Sequence, residues 1–312
     1  MQFSENELNK LCDFWQVGEI ISPPKTIKSD RLWRLTTCKG VFALKRVSAY
    51  NQVNQGERIA RKLQLHKLPV IAAMTHQKDV ICHVNGKGYL LSPWQNGEIL
   101  PLTAAPPQQA YLIGKLLAEI HKVNLQLSGI ALSAWQKLEM TDWQHWIKDA
   151  AWPAELTERL KVMLPKLVQW TENYCAASEK LSIQPWVITH GDLTQSNIIW
   201  ENELAPKIID WEAAGWAHPQ VELLGAALNW SGINYDMPSH ASFTAVIKGY
   251  QSIKGLVQIN ETVLQTGLGS WLAWLAYAIQ NFLKENQSDW IKEINQTLNV
   301  LERFANLSNV LI

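Results

Sequence analysis

The sequence predicts an α+β fold in which a small, mainly antiparallel β region with one helix precedes a larger helical region. Three observations carry this. Residues 31–47 alternate apolar and polar on either side of Lys39-Gly40, the pattern of a hairpin. After residue 94 the apolar positions change to helical spacing, first in Leu112, Leu116, Ile120 and Val123, with Ile113 and Leu117 widening the stripe. One strand-loop-strand, residues 185–210, interrupts the helical region and carries an unusual concentration of polar residues.

Taken in order, the chain opens with a short helix, Glu5 to Trp15. The stretch MQFSENELNK is polar and acidic, unlike a secretory signal. A hairpin of Arg31–Cys38 and Val41–Val47 follows. Alternation in VFALKRV puts Val41, Ala43, Lys45 and Val47 on one face. A lysine among small and apolar residues suits a face that roofs a nucleotide, with Ala43 against the base and Lys45 reaching the phosphates. The next helix shows Ile59, Leu63 and either Leu65 or Leu68 as its apolar stripe and ends before Pro69. Glu57 lies early in it, a candidate partner for Lys45. The alternative for Glu57 is a surface acid favoured by the helix dipole. Beyond residues 110–124, the most apolar stretch, Ser270 to Leu283, is broken by Gln280 and Asn281 and reads as a buried helix, too short to span a bilayer.

The chemistry concentrates in THGDLTQSNIIW and KIIDWEAAG. Asn197–Trp200 and Lys207–Asp210 read as two short strands. Folded back around Glu201–Pro206, they pair Trp200 with Lys207 and Asn197 with Asp210, with directly opposed Cβ atoms roughly 4.5–5.5 Å apart. An amide oxygen and a carboxylate so placed can share Mg²⁺, a hard cation that takes oxygen ligands. Asp192, five residues before Asn197, is placed to accept a proton from an attacking hydroxyl. The other reading of these residues is ordinary turn chemistry between buried strands.

His190, Asp192, Asn197 and Asp210 match the kinase catalytic loop H-x-D-x-x-x-x-N with a metal-binding Asp after the next hairpin. The form HGDLTQSN…IIDWE resembles the aminoglycoside phosphotransferase and choline kinase family, the small-molecule branch of the protein-kinase-like fold. Gly191 stands where protein kinases carry Arg, and Trp211-Glu212 replaces their Phe-Gly. The resemblance implies a two-lobe fold, with 1–94 as the nucleotide-binding N-lobe and 95–312 as the C-lobe holding the catalytic loop, metal site and acceptor-binding helices. It implies a nucleoside triphosphate donor, ATP with GTP left open, and Mg²⁺. Asp192 would be the catalytic base, Asn197 and Asp210 the metal ligands, and Lys45, steadied by Glu57, the phosphate-aligning cation. GYLLSPWQNGEIL resembles the last N-lobe strand and hinge, so backbone near Ser92 to Trp94 would meet the adenine edge, with Ala43 on its face. Trp94 is otherwise a packing residue. His190 is expected to brace the catalytic loop, His121 to be a satisfied core histidine, and Glu212 and Glu222 to support the site, Glu222 standing where the family commonly has Asp. The segment PPKTIKSDRLWRL, between the first two strands, lacks the glycines of a phosphate-covering loop, leaving backbone at Ser29 and Asp30, with Lys28 and Arg31, as its candidates.

Composition bounds the partners. A net charge of zero argues against a nucleic-acid binder, and no segment suggests a membrane. Four scattered cysteines with no C-x-x-C pair fit a reducing cytoplasm. Residues 1–94 hold 14 Lys and Arg against 7 Asp and Glu, and the remainder 14 against 21. This asymmetry suits a polyanionic nucleotide in the first part and a cationic acceptor in the second, or else two differently solvated surfaces. Of the 16 tryptophans, Trp271 and Trp274 share helical spacing with Tyr277 and Ala278, a pattern of core packing or of an aromatic wall for a quaternary ammonium. The expected activity is phosphoryl transfer to a hydroxyl of a small molecule. Its alternatives are a choline, ethanolamine, homoserine or sugar kinase of the same fold, and a nucleotide-binding pseudokinase acting through partners.

Overall fold

A computed structural model of the chain describes residues 3–28, 31–133, 143–148, 152–181, 185–236, 238–285 and 287–311. In chain order its elements begin with α1 (Glu5–Trp15), β1 (Ile20–Lys28), β2 (Leu32–Thr37), β3 (Gly40–Val47), α2 (Tyr50–Leu65), β4 (Ile81–Val84) and β5 (Lys87–Pro93). Then come α3 (Pro107–Val123), α4 (Trp143–Lys148), α5 (Ala154–Leu181), β6 (Val187–Thr189), β7 (Ile198–Trp200), β8 (Pro206–Ile208) and β9 (Gly215–Ala217). Four helices close the chain: α6 (Pro219–Trp230), α7 (His240–Lys254), α8 (Glu261–Glu285) and α9 (Ser288–Leu311). The chain divides into two compact units, Met1–Ile99 with Asn197–Ala214, and Leu100–Ser196 with Gly215–Ile312. The sequence reading had assigned everything after residue 94 to the second domain.

The first unit is built on an antiparallel sheet in the order β1-β2-β3-β5-β4. Period-two alternation directs Leu35, Phe42, Leu44 and Leu91 into a core closed by Leu11 and Trp15 of α1. Helix α1 is started by a capping box, in which Ser4 Oγ accepts from Glu7 N and Glu7 accepts from Ser4 N. Ala43 and Lys45, on the other face of β3, are only half-buried. The PPKTIK segment corrects the expectation of a loop. It is strand, because β1 is an edge, where a proline's missing N–H costs no ladder bond, and a register shift between Ser22 and Lys25 absorbs Pro23-Pro24. Ser29 and Asp30 lie outside the described residues. In α2 the stripe is Val53, Ile59 and Leu63, whereas Leu65 is 74% exposed. Two positions past Leu63 is about 200° around the helix, on the solvent side.

The β7–β8 hairpin belongs to this unit through its backbone. Ile208 N donates to Pro69 O at 2.8 Å and Ile71 N to Ile208 O at 2.9 Å, while Trp200 and Glu98 exchange two bonds of 2.8 and 3.0 Å. The 3₁₀ turn Trp211–Ala213 that follows is seated on α2. There Gly56 lets the helix backbone approach: a Cβ at this position would fall on the Trp211 carbonyl oxygen.

In the second unit α5, α8 and α9 share a core that includes Leu160, Leu167, Leu272, Ile279, Leu298 and Leu301. Helices α3 and α7 approach closely because each carries a glycine at the contact. A Cβ on Gly114 would meet Val246 O, and one on Gly249 would meet Tyr111 O. Strands β6 and β9 pair as Val187 with Ala217 and Thr189 with Gly215. Among the described residues no helix is long and apolar enough to cross a membrane.

The seating of residues 211–213 yields a first prediction. Gly56→Ala should lower the stability of the folded chain by about 1–3 kcal/mol, because neither backbone can yield without moving the hairpin. Urea denaturation followed by tryptophan fluorescence measures it.

Candidate active site

In the first unit the reactive groups gather where β3 and the β7–β8 hairpin meet. Lys45 Nζ donates to both Asp210 oxygens, at 2.7 and 2.8 Å, and lies 3.3 Å from Glu212 Oε2. Burial alone would lower the Lys45 pKa, but the Asp210 and Glu212 carboxylates outweigh it and hold the ammonium above its ordinary value. The expected Lys45–Glu57 ion pair is therefore corrected. Glu57 is buried and accepts from Ala73 N at 2.6 Å, with Arg61 Nη2 at 3.8 Å, so its charge reaches Lys45 only at longer range. Burial pushes the Glu57 carboxyl up to about 7.

The hairpin register also differs from expectation. Ile198 pairs with Ile208, Ile199 with Lys207 and Trp200 with Pro206. Asn197 O accepts from Ile209 N at 3.0 Å, so Asn197 faces Ile209 and not Asp210. A one-residue slip exchanges the two faces of a strand. The observed register places Ile198 and Ile208, both fully buried, side by side, and keeps Lys207 at the half-buried surface. Asp210 leaves the strand with φ 62° and ψ 72°, a left-handed conformation uncommon for a residue with a side chain. Trp211 is then buried, Gln55 Nε2 holds Ala214 O at 2.7 Å, and Glu212 is directed back to Lys45.

Across β3 and β5, Ala43 is directly opposite Ser92. Trp94 N continues this pairing by donating to Val41 O at 3.0 Å, and Arg34 stacks 5.1 Å from the centre of the Trp94 ring. Among the described residues no three His, Cys, Asp or Glu side chains assemble a complete metal site. Asn197 and Asp210, which flank the ends of the hairpin, are the two expected ligands that could hold a divalent ion such as Mg²⁺. The donor set fits: all ligands are oxygens, and both oxygens of Asp210 already attract a cation, the Lys45 ammonium.

In the second unit the 190–196 loop is held from several sides. His190 is fully buried, and its Nδ1 accepts from Asp192 N at 3.2 Å. Glu222, in the first turn of α6, accepts from Gly191 N at 3.1 Å. Gln195 Nε2 donates to Thr103 O and Asn229 O, and Trp230 Nε1 to Leu193 O at 2.8 Å. Burial pushes the Glu222 carboxyl up to about 7, with the nearby Asp192 charge adding to the shift and the Gly191 and Thr189 hydrogen bonds opposing it. His121 is a satisfied core histidine, bonded to Tyr250 Oη at 2.8 Å and Thr189 Oγ1 at 3.0 Å.

Asp192 opens onto a cavity of about 350 Å³. Besides the loop, its walls include Asn229 of α6, Ser270, Trp271 and Trp274 of α8, and Glu293, Gln296 and Thr297 of α9. Trp271 is buried against Phe304 at 5.6 Å, in keeping with core packing, and also lines the cavity, while Tyr277 stacks on Trp274. The α9 residues escaped the sequence reading. Their only signal is polar side chains at i, i+3 and i+4, which a solvent-facing helix also shows.

The profile of a family described as "Phosphotransferase enzyme family" matches residues 23–256. A search of curated proteins finds no match. Among solved structures, a spectinomycin phosphotransferase bound to AMP is similar at 16% identity and a TM-score of 0.73, covering 95% of this chain and 97% of its own. Choline kinase from Streptococcus pneumoniae is similar at 13% identity and a TM-score of 0.66, covering 97% and 100%. An amicoumacin kinase in complex with AMP-PNP and Ca²⁺ aligns at 12% identity and 0.64, covering 98% and 97%. The fold is therefore protein-kinase-like.

The two raised carboxyls give a second prediction. A carboxyl whose pKa rises from an ordinary 4.5 to about 7 on folding binds more protons folded than unfolded across that window. Stability should then fall as pH rises from about 5 to about 7 and level off above. Glu57→Gln should remove about one proton's share of that slope. Urea denaturation at pH 5, 6, 7 and 8 measures it, and a slope unchanged by the substitution refutes the assignment.

Proposed function

We propose, from the premise that the chain belongs to the phosphotransferase enzyme family, that it moves the γ-phosphoryl group of Mg-ATP to a hydroxyl of a small, cationic acceptor. The observation that carries the acceptor half is the cavity beside Asp192. Its walls hold three carboxylates, Asp192, Glu222 and Glu293, and no Lys, Arg or His among the described lining residues. Amide and hydroxyl groups from Asn229, Asn234, Gln296, Thr194 and Ser270 surround them, a lining for a hydroxylated amine more than for an apolar ligand or an anion. Glu293 and the faces of Trp271 and Trp274 suit an ammonium group.

In this mechanism Asp192 accepts the proton of the attacking hydroxyl, and its backbone bond to His190 fixes its approach. Lys45 transfers its attraction from Asp210 to the α and β phosphates of the donor. Asn197 and Asp210 would hold the magnesium ion, which when bound would supply charge neutralisation for the transferring group. Glu212 takes up the Lys45 charge that Asp210 gives away, and Glu57 supports α2 behind them. Backbone at Ser92 and Trp94, with Ala43, meets the adenine ring. Small-molecule kinases of this kind work mainly by positioning and electrostatics, so each substitution should separate binding from chemistry.

A contrast between two carboxylates tests the chemistry. Asp192→Asn should abolish transfer while leaving Mg-ATP affinity within about fivefold, whereas Asp210→Ala should weaken Mg-ATP binding itself by about tenfold or more. Turnover and calorimetric titration with and without Mg²⁺ read the two effects. Full activity of the Asp192 variant would remove Asp192 from the mechanism, whereas Mg-ATP binding without turnover of any acceptor by the wild type would favour a nucleotide-binding protein acting through partners.

The acceptor is tested by a screen over spectinomycin, choline, ethanolamine, homoserine and neutral sugars, with ATP and GTP as donors. For the amine that turns over, Glu293→Gln should raise KM about tenfold with kcat nearly unchanged, and the wild-type KM should rise with salt. A neutral sugar that outperforms every amine, with KM indifferent to salt, refutes the cationic acceptor.

A further inference from the structure

Behind the catalytic loop, the second unit contains a buried chain of polar groups that the mechanism above does not use. Tyr250 of α7, His121 of α3 and Thr189 of β6 are all buried, and each lies within hydrogen-bond reach of the next. The Thr189 hydroxyl in turn bonds the Glu222 carboxylate, which accepts from Gly191 N, one residue before Asp192.

The direction of every proton along this chain follows from counting donors. Burial, with Lys254 adding a smaller push, holds the His121 pKa down at about 3, so its ring is neutral with one N–H and one bare nitrogen. Burial raises the Tyr250 pKa, with the Glu222 charge in the same direction, so Tyr250 keeps its proton. An ionised Glu222 only accepts, so the single hydroxyl proton of Thr189 goes to it. The Thr189 oxygen must then accept from His121 Nε2–H. That leaves Nδ1 bare, to accept from Tyr250 O–H. All three protons point toward Glu222, and bonds aligned in this way strengthen one another. Of the other charged groups, Asp192 opposes Glu222 ionisation from the loop side, and Lys254 bears on His121 from α7.

We propose that Tyr250, His121 and Thr189 form a one-directional relay of positioning residues that keeps the Glu222 carboxylate an acceptor for Gly191 N–H and so fixes the loop that bears Asp192. The relay joins α3, α7, β6 and α6 behind this loop. The replacement of Asp by the longer Glu222 is consistent with it, since the extra methylene lets one carboxylate span Thr189 and Gly191. The effect on turnover rests on the reading of Asp192 as the base. The arrangement of protons does not.

Nitrogen NMR of the His121 ring in the full chain tests the arrangement directly. The expected state is the Nε2–H tautomer. An Nδ1–H ring at neutral pH would overturn the proposal. Thr189→Val should raise the titration midpoint of Glu222, read by carboxyl carbon shifts, by about one pH unit and speed exchange of the Gly191 amide. Thr189→Ser, which retains the hydroxyl, should restore both and so separate the relay from loss of packing. Tyr250→Phe should cut kcat for Mg-ATP hydrolysis, with water as acceptor, about three- to tenfold, the size of one net hydrogen bond, with KM for ATP within about twofold. The acidic limb of the rate profile should move up alongside the Glu222 midpoint. If neither Thr189→Val nor Tyr250→Phe alters Gly191 exchange or the Glu222 midpoint, the relay is wrong. If both do and kcat stays constant, the positioning role is overturned. Retained turnover in Asp192→Asn would refute the functional reading alone, with the tautomer still reporting on the relay.

Discussion

The salt bridge from Lys45 to both oxygens of Asp210 is the interaction on which the first unit's chemistry depends, because it brings together residues 165 apart in sequence. Each partner is delivered by a separate constraint. Alternation along β3 turns Phe42 and Leu44 into the core and leaves Lys45 on the opposite face. The hairpin after Asn197 is pinned to Pro69, Ile71 and Glu98 by backbone bonds, so its end cannot drift. Asp210 then takes a left-handed conformation that turns the chain sharply, and Trp211 locks the turn by docking where Gly56 permits contact. A strained residue between two anchored segments is a means of aiming a side chain. Here the aim is a carboxylate at an ammonium that a nucleotide's phosphates would otherwise attract.

Much of this was legible in the sequence, and the failures have specific causes. His190, Asp192, Asn197 and Asp210 could be recognised because a strand, a tight loop and a hairpin fix their spacing locally. The hairpin register could not, since Ile198-Ile199 and Ile208-Ile209 offer two apolar pairings that differ by one residue. Only burial of Ile198 and Ile208 together selects between them. Glu57 was placed on the right helix and given the wrong partner. Its nearest donor, Ala73 N, belongs to a loop whose return to α2 no local pattern announces. Pro23-Pro24 read as a loop because prolines do not belong in a central strand, and an edge strand does not obey that rule.

The cavity residues illustrate a different limit. Glu293, Gln296 and Thr297 present the polar stripe of a helix facing water, yet they face a cavity lined also by Asp192 and Trp271. Both surroundings satisfy polar groups, so periodicity alone cannot distinguish them. These residues, with Ser270, Trp271 and Trp274, also lie beyond residue 256, where the family match ends. The matched part includes the 190–196 loop and the β7–β8 hairpin. The unmatched α8 and α9 supply the rest of the cavity wall beside Asp192, so the family match carries no information about that wall.

Ionisable groups are sorted by burial in a way that separates contact from support. Asp192 and Asp210 are half-buried and Glu212 is exposed, so all three are open to ligands. Glu57 and Glu222 are buried, each takes a backbone N–H, and burial pushes each up to about 7. A carboxylate in that state is costly to maintain, but it holds a main-chain amide more firmly than a neutral acceptor does. Glu57 applies this to the segment after α2, and Glu222 applies it to the loop of Asp192. Supporting carboxyls that titrate near neutrality make the segments they hold, the stretch after α2 and the loop of Asp192, sensitive to pH.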